Sequence, residues 1–477
     1  MFRILLTLIS PVYLGTLALA AMTGALFLAG GSRLSDAVPY CLAIILPGML
    51  FGLFSDLGGF ACLAMLWLPF SRGFLKYEIG VVTLDGYVAA MGVLALASLL
   101  ALFAGRAKFK VSGTDLLILF ICSVYLCSTL LSTDVLESGY LAFHAIFVPV
   151  LSYFCVKTLA ERDVDYRRMV TAFIVGATAF STFVVHDFLL TDRRVETFQL
   201  PPISIGTVLI SALFLLAGAS WVRRGWKLIL GGVLLVGLLM TLTRVFLLLV
   251  LTGPFFYWAI RRGLGVLLLS TMLVITFVGT IMLAYSGDTF RPPSSYNASK
   301  GNVTEGRLTN KNAWKEALYS RTQDDLEGLE LFRANPVVGT GLHRGIFVTR
   351  HNIHVAWLQY GGVLGYVAYL WLFLGHFRKS RNMAKEHPET AAGLLVIFTI
   401  LTNGITNGFM HGFMPIVTFI VLGLNEAHNN KIYASDEVGI QTKPAAPSRK
   451  YRLMGAPDTA KSETGEGGDG RDGLATV

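Results

Sequence analysis

The sequence predicts an all-α integral membrane protein with about 12 to 14 transmembrane helices and one large hydrophilic loop, which holds short helices. Three observations predict it. Of the 477 residues, 54% are hydrophobic and only 14% charged, where a soluble domain carries roughly a quarter charged. The apolar residues gather in repeated uncharged runs near the ~20 residues that cross a bilayer as a helix. Most of the cations sit in the short links between those runs. A chain in lipid finds no water for its backbone, so each span must pair its own N–H and C=O groups as a helix. The mean hydropathy of +0.62 agrees.

In order, the apolar runs cover residues 4–30, 38–70, 81–105, 113–132, 138–160, 169–190, 201–222, 226–260, 264–285, 352–377, 389–409 and 411–426. The first follows Met-Phe-Arg and contains Pro11; it is long for a signal-peptide core and reads as an uncleaved span. Runs 38–70 and 226–260 exceed one simple span. Each reads as two helices around a tight turn, near Ser55-Asp56 and near Thr243-Arg244. The hydrophilic stretch 286–350 opens with a loop rich in Pro, Ser, Asn and Gly. From Asn312 to Arg333 breakers are few, and Leu326, Leu329, Leu331 and Phe332 mark the apolar face of one or two surface helices. Asn335-Pro336 ends them. Beyond Glu426 the chain turns polar and glycine-rich, which predicts a disordered cytoplasmic tail. The expected division is a membrane bundle at 1–285, the loop at 286–350, further membrane helices at 351–426 and the tail at 427–477.

The formal charge of +9 does not point to nucleic acid, because its cations are spread among topogenic links. Links with Arg106, Lys108 and Lys110, with Arg162, Arg167 and Arg168, and with Arg223, Arg224 and Lys227 fall on one side. Arg261, Arg262, Arg378, Lys379, Arg381 and Lys385 join them when run 226–260 crosses twice. By the positive-inside rule that side is cytoplasmic, leaving Asp134, Glu137 and the stretch 286–350 outside. Arg193 and Arg194 run against the pattern, in an external link. The five cysteines (Cys41, Cys62, Cys122, Cys127 and Cys155) lie in or beside apolar runs, with no CxxC pair to support a zinc site or disulfide framework.

Chemistry-bearing residues concentrate late in the chain. Arg350, His351 and Asn352 close the hydrophilic stretch at the mouth of a span, with His354 following. An imidazole there can take a proton from a hydroxyl, its ordinary pKa lying near 6.5; equally, it can anchor a helix end at the interface. A His351/His354 metal pair is weaker, with no third ligand near in sequence. Arg244 stands between two apolar runs, where a guanidinium is costly and marks either a polar cavity or a hairpin rim from which it snorkels. Arg321 alone reads as part of a solvated helix beside Asp324, Asp325 and Glu327. His144, His186 and Asp187 could line a cavity or simply be paired. Asp163-Val164-Asp165 reads as a charged loop, and the sequons at Asn297 and Asn302 are weak signals. There is no P-loop, dinucleotide fingerprint or Ser-His-Asp order.

Three of these features together resemble the O-antigen ligase and polymerase family. His351-Asn352 is separated by nine residues from Gly362-Val363-Leu364-Gly365. Arg321 stands upstream of Pro336-Val337-Val338-Gly339-Thr340-Gly341, and Thr243-Arg244 matches the family's intramembrane hydroxyl-Arg step. The resemblance covers roughly residues 226–410. It implies a multi-pass protein of the bacterial inner membrane, with 286–350 as a periplasmic loop. It also implies transfer of a glycan from a polyprenyl-diphosphate donor to a hydroxyl. The acceptor would be lipid A-core in a ligase or a second lipid-linked glycan in a polymerase; the unbroken His-Asn to Gly-x-x-Gly spacing favours the ligase. His351, Arg321 and Arg244 would be catalytic. Arg350, Asn352, Gly339, Gly341, Gly362 and Gly365 would bind substrate, and the chemistry needs neither a metal nor another cofactor. The rival from a different class is a lipid-linked oligosaccharide flippase or transporter. Such proteins often show two similar halves with matching broken helices, and this sequence has no internal repeat.

Overall fold

A computed structural model describes residues 57–71, 76–79, 82–105, 111–162, 166–191, 200–285, 325–342, 352–407 and 413–442. Apart from one small hairpin, the described secondary structure is helical. Seven described helices are long and apolar enough to cross a membrane: Gly113–Leu130, Val135–Glu161, Tyr166–Leu190, Arg244–Arg261, Gly265–Met282, Ile353–Lys379 and Pro388–Ile405. The chain is therefore a membrane-embedded helical protein. Leu116, Leu119, Leu251, Phe255, Leu267 and Ile275 are exposed on three of these helices. Water would penalise such surfaces, whereas lipid accepts them.

Helix α1 (Leu57–Trp67) leads through a 3-10 turn to the hairpin strands β1 (Lys76–Ile79) and β2 (Val82–Asp85). The strands are antiparallel, with Lys76 opposite Asp85 and Ile79 opposite Val82. The sequence run beginning at 81 thus enters its helix late: residues 82–85 pair as a strand, and α2 (Gly86–Phe103) follows. Helix α3 (Gly113–Leu130) starts at a capping box. The Asp115 amide donates to Ser112 Oγ at 3.3 Å, and the Ser112 amide donates to Asp115 Oδ2 at 2.6 Å. Asp134 caps α4 (Val135–Ala142) by accepting from the Glu137 amide at 2.9 Å. A π turn at Phe143–Phe147 joins α4 to α5 (Val148–Arg162). Pro149, just downstream, has no N–H to give to that turn and crowds the carbonyl four residues back, which accounts for the local widening.

Helix α6 (Tyr166–Thr191) packs on α1, on α7 (Pro202–Gly218) and on α8 (Arg224–Met240). The long run 226–260 does divide, as its length requires. Helix α8 ends at Met240 and α9 (Arg244–Arg261) begins after the turn Thr241–Leu242–Thr243, where Leu242 has φ +49°. Helix α10 (Gly265–Tyr285) packs on α12 (Ile353–Lys379), which also packs on α3. Between α10 and α12, residues 325–334 form the short helix α11, with Leu329 and Phe332 turned onto the core and Asn335-Pro336 ending it. Helix α13 (Arg381–Glu386) is a brief surface turn before α14 (Pro388–Asn407) and α15 (Met414–Thr442). The other half of run 38–70, the first span and residues 312–324 lie outside the described residues, as do Cys41 and Asp163-Val164-Asp165.

Polar ties hold this bundle where burial alone would let helices slide. Lys157 Nζ lies 2.6 Å from Asp115 Oδ2, and the Tyr153 hydroxyl donates to Asp115 Oδ1 at 2.7 Å. Both charged side chains are almost fully buried, so α3 and α5 are fixed in register. On the C-terminal side Lys379 pairs with buried Glu426, while Asn429 donates to Ser380 Oγ at 2.9 Å. These contacts correct one sequence boundary. The tail was expected to begin at residue 427, yet α15 continues as helix to Thr442, with Ala427 and Asn429 buried. Asn429 and Asn430, polar residues of the expected tail, instead donate to Ser380 and Glu161 inside the protein. Among the described residues Cys62, Cys122, Cys127 and Cys155 form no disulfide.

Candidate functional site

Helix α12 is broken, and the break organises the site. Gly362 has φ +61° and ψ −163°, a conformation essentially restricted to glycine. The preceding turn loses its acceptors' partners and the following turn its donors' partners, as at any helix end. Segment 336–342 supplies them. The Val363 amide donates to the Pro336 carbonyl at 2.8 Å and the Leu364 amide to the Val337 carbonyl at 3.2 Å. In return the Thr340 amide donates to the Gln359 carbonyl at 2.9 Å. The Ser128 hydroxyl, from α3, donates to the Tyr360 carbonyl at 2.6 Å. Irregular backbone inside a membrane bundle survives only when it is satisfied in this way.

The two glycine motifs therefore interlock. A Cβ on Gly362 would stand 2.3 Å from the Val337 oxygen, and one on Gly339 would stand 2.6 Å from the Gln359 oxygen. Gly339 and Gly341 have φ +78° and +77°. Gly341 sits against Ser128, Ser132 and Ser138, and the Leu342 amide donates to Ser138 Oγ at 3.1 Å. Gly365 differs: a Cβ there would meet Tyr125 at an ordinary 3.6 Å. The resemblance assigned all four glycines to substrate; the structure gives Gly339, Gly341 and Gly362 a packing reason of their own, and Gly365 none.

Asn352 begins α12. Its Oδ1 accepts from the His354 amide at 3.0 Å and its Nδ2 donates to Thr280 Oγ1 at 2.7 Å. This buried amide is an N-cap that ties α12 to α10, which makes it a positioning residue. One turn on, the fully buried His354 has Nε2 2.6 Å from Thr276 Oγ1 and Nδ1 3.1 Å from the Tyr366 hydroxyl. Both ring nitrogens are engaged, which leaves no lone pair for a metal shared with position 351. Trp357 stacks on Tyr369, with ring centroids 4.7 Å apart and planes 3° from parallel.

Arg244 is the first residue of α9 and half-buried, with its Nη2 shielded from solvent. Thr243, the N-cap, turns its hydroxyl to the Thr241 carbonyl at 3.2 Å and makes no cap bond to α9. A cation at a helix N-terminus opposes the helix dipole, so its place is not explained by helix stability. Arg321, Arg350 and His351 lie outside the described residues. His186 is exposed, with Nδ1 3.7 Å from Asp187 Oδ1. His144 packs its ring edge-on to Tyr140 and Phe143 in the π turn.

Sequence reasoning missed Ser128, Ser138, Thr276 and Thr280. Small hydroxyl residues within spans carry no spacing signal of their own, although they are the usual interhelical glue. No family model and no curated protein matches this chain.

Proposed function

We propose that the chain transfers a glycan from a polyprenyl-diphosphate carrier to an acceptor hydroxyl on the periplasmic face of the bacterial inner membrane, most specifically to lipid A-core. The observation that supports this reading is the interlock of 336–342 with the break at Gly362. Those segments carry the glycines of two of the three features on which the resemblance to O-antigen ligases and polymerases rests, and they are hydrogen-bonded to each other at the break in α12.

In this scheme the donor enters from lipid with its diphosphate against Arg244 and Arg321. The N-terminus of α9 adds its partial positive charge to the Arg244 guanidinium, and Arg holds phosphate through two parallel hydrogen bonds. Arg350 supports the same charge. His351 takes the proton from the acceptor hydroxyl as its oxygen bonds to the anomeric carbon. The bond from that carbon to the diphosphate breaks, its electron pair leaves on the phosphate oxygen, and the centre inverts. Cations held at that oxygen stabilise the departing charge. Asn352, tied to Thr280, keeps the start of α12 in place beside His351. The donor brings its own leaving group, so no metal or cofactor enters the reaction.

The test is transfer from a defined polyprenyl-diphosphate oligosaccharide to lipid A-core or to a second lipid-linked glycan, with His351→Ala alongside wild type. Transfer to lipid A-core supports the ligase, and transfer between lipid-linked glycans supports the polymerase. A broken helix also suits a flippase or transporter. Flipping of labelled lipid in proteoliposomes without any transfer would replace the present reading with that one.

A further inference from the structure

A second cluster stands a full helix away, past the other end of α12. His387 links α13 to α14, Glu389 lies in the first turn of α14, and His428 comes from α15. One ligand atom of each lies within 4.8 Å of the other two. The two imidazoles are perpendicular, at 88°, with centroids 5.9 Å apart. They converge on a common point instead of stacking.

Each member is held from outside the cluster. The His428 ring stacks on Tyr166 at 4.7 Å. Glu389 accepts from the Ser220 hydroxyl. The His387 amide donates to the Met383 carbonyl at 2.7 Å. His428 Nε2 is shielded from solvent and has no hydrogen-bond partner among the described residues. A buried polar atom left in that state calls for an occupant.

We propose that His387, Glu389 and His428 bind a borderline divalent cation of the zinc type, which ties α14 to α15. Two imidazoles and one carboxylate are the donor set such ions take, with water in the fourth position. Half-buried His387 leaves the side on which that water would enter. Calcium and magnesium, which require oxygen donors, are excluded by the two nitrogens. Tetrahedral ligands about 2.0–2.2 Å from a metal stand about 3.4 Å apart, so the three side chains close by roughly one ångström on binding. Arg167 and Lys431 act on His428 from nearby and Lys227 on Glu389, which opposes a dication. The Glu389 carboxylate and the second-shell bond from Ser220 offset them. This site has no part in glycan transfer and does not rest on that reading.

The experiment uses the full chain in detergent, without a polyhistidine tag, stripped with chelator and titrated with cobalt(II). One saturating equivalent, with the intense visible absorption of four-coordinate cobalt and displacement by zinc, is expected. His387→Gln and His428→Ala should each abolish that absorption. Ser220→Ala should weaken binding about tenfold. His387→Gln changes a half-buried side chain, and thermal unfolding of the metal-free protein checks that it folds. Absence of saturable cobalt uptake by the wild type would overturn the proposal. So would uptake that survives both histidine substitutions in folded protein, or uptake that Glu389→Gln leaves unchanged.

Discussion

The Val363 amide and the Pro336 carbonyl, 27 positions apart in the chain, meet at 2.8 Å and close a gap that Gly362 opens. Neither partner has an alternative. Val363 is the first donor beyond the break, and Pro336 belongs to a turn that has left its own helix. The pairing turns two local irregularities into one rigid junction among α3, α11 and α12.

Gly362→Ala should be far more damaging than Gly365→Ala. The first places a side chain in a backbone region costing about 1–3 kcal/mol, with a contact to the Val337 oxygen that no rotamer relieves. Overpacking adds about 1–3 kcal/mol. The second meets only ordinary contacts with Tyr125 and Val124. Thermal unfolding of the two purified variants decides it. Equal midpoints would mean that the interlock does not carry the stability assigned to it.

How much of this junction could be read in advance follows from its chemistry. Gly339, Gly341, Gly362 and Gly365 announce themselves as residue types, and the ending of α11 at Asn335-Pro336 is legible from proline alone. That the two glycine segments touch each other is not legible, because backbone-to-backbone hydrogen bonds leave no trace in side-chain identity. The split of 226–260 followed from bilayer thickness, which is a strict length constraint. The continuation of α15 past Glu426 did not follow. His428 and Asn429 look solvated until Tyr166 and Ser380 are seen to face them. The cluster of His387, Glu389 and His428 was hidden for the same reason: its third member is 39 residues from the second.

His354 and His351, three positions apart, should behave as opposites. His354 is fully buried between Thr276 and Tyr366. Replacing it by Ala removes two hydrogen bonds worth about 0.5–1.5 kcal/mol each and leaves a cavity. His354→Ala should therefore lower the unfolding midpoint. His351→Ala should abolish glycan transfer and leave that midpoint within error of wild type. A stability loss at 351 as large as at 354 would mean that His351 is a structural anchor instead of the base.

Arg244 distinguishes charge from geometry. If it grips a diphosphate, Arg244→Ala should reduce transfer about 10²- to 10³-fold, as loss of a group that stabilises developing charge does. Arg244→Lys keeps the charge but lacks the planar fork, and should recover only part of the rate. Steady-state rates with a defined lipid-linked donor are the measurement. Full activity in the alanine variant would remove Arg244 from the site.

The Asp115–Lys157 pair gives a test of the bundle that is independent of any activity. Lys157→Met leaves the Asp115 carboxylate buried at 0% exposure, with Tyr153 and the Ser112 amide as its remaining hydrogen-bond donors among the described residues. Breaking a buried pair on one side costs about 3–5 kcal/mol, because the remaining charge has lost its compensation. Adding Asp115→Asn to Lys157→Met removes that charge, and the carboxamide oxygen can still accept from the Ser112 amide while its NH2 donates to the Tyr153 hydroxyl. The double variant should therefore unfold at a higher temperature than Lys157→Met alone. If the single variant is as stable as wild type, the pair is not holding α3 against α5. If the double variant is the weaker of the two, the bond geometry matters more than the uncompensated charge.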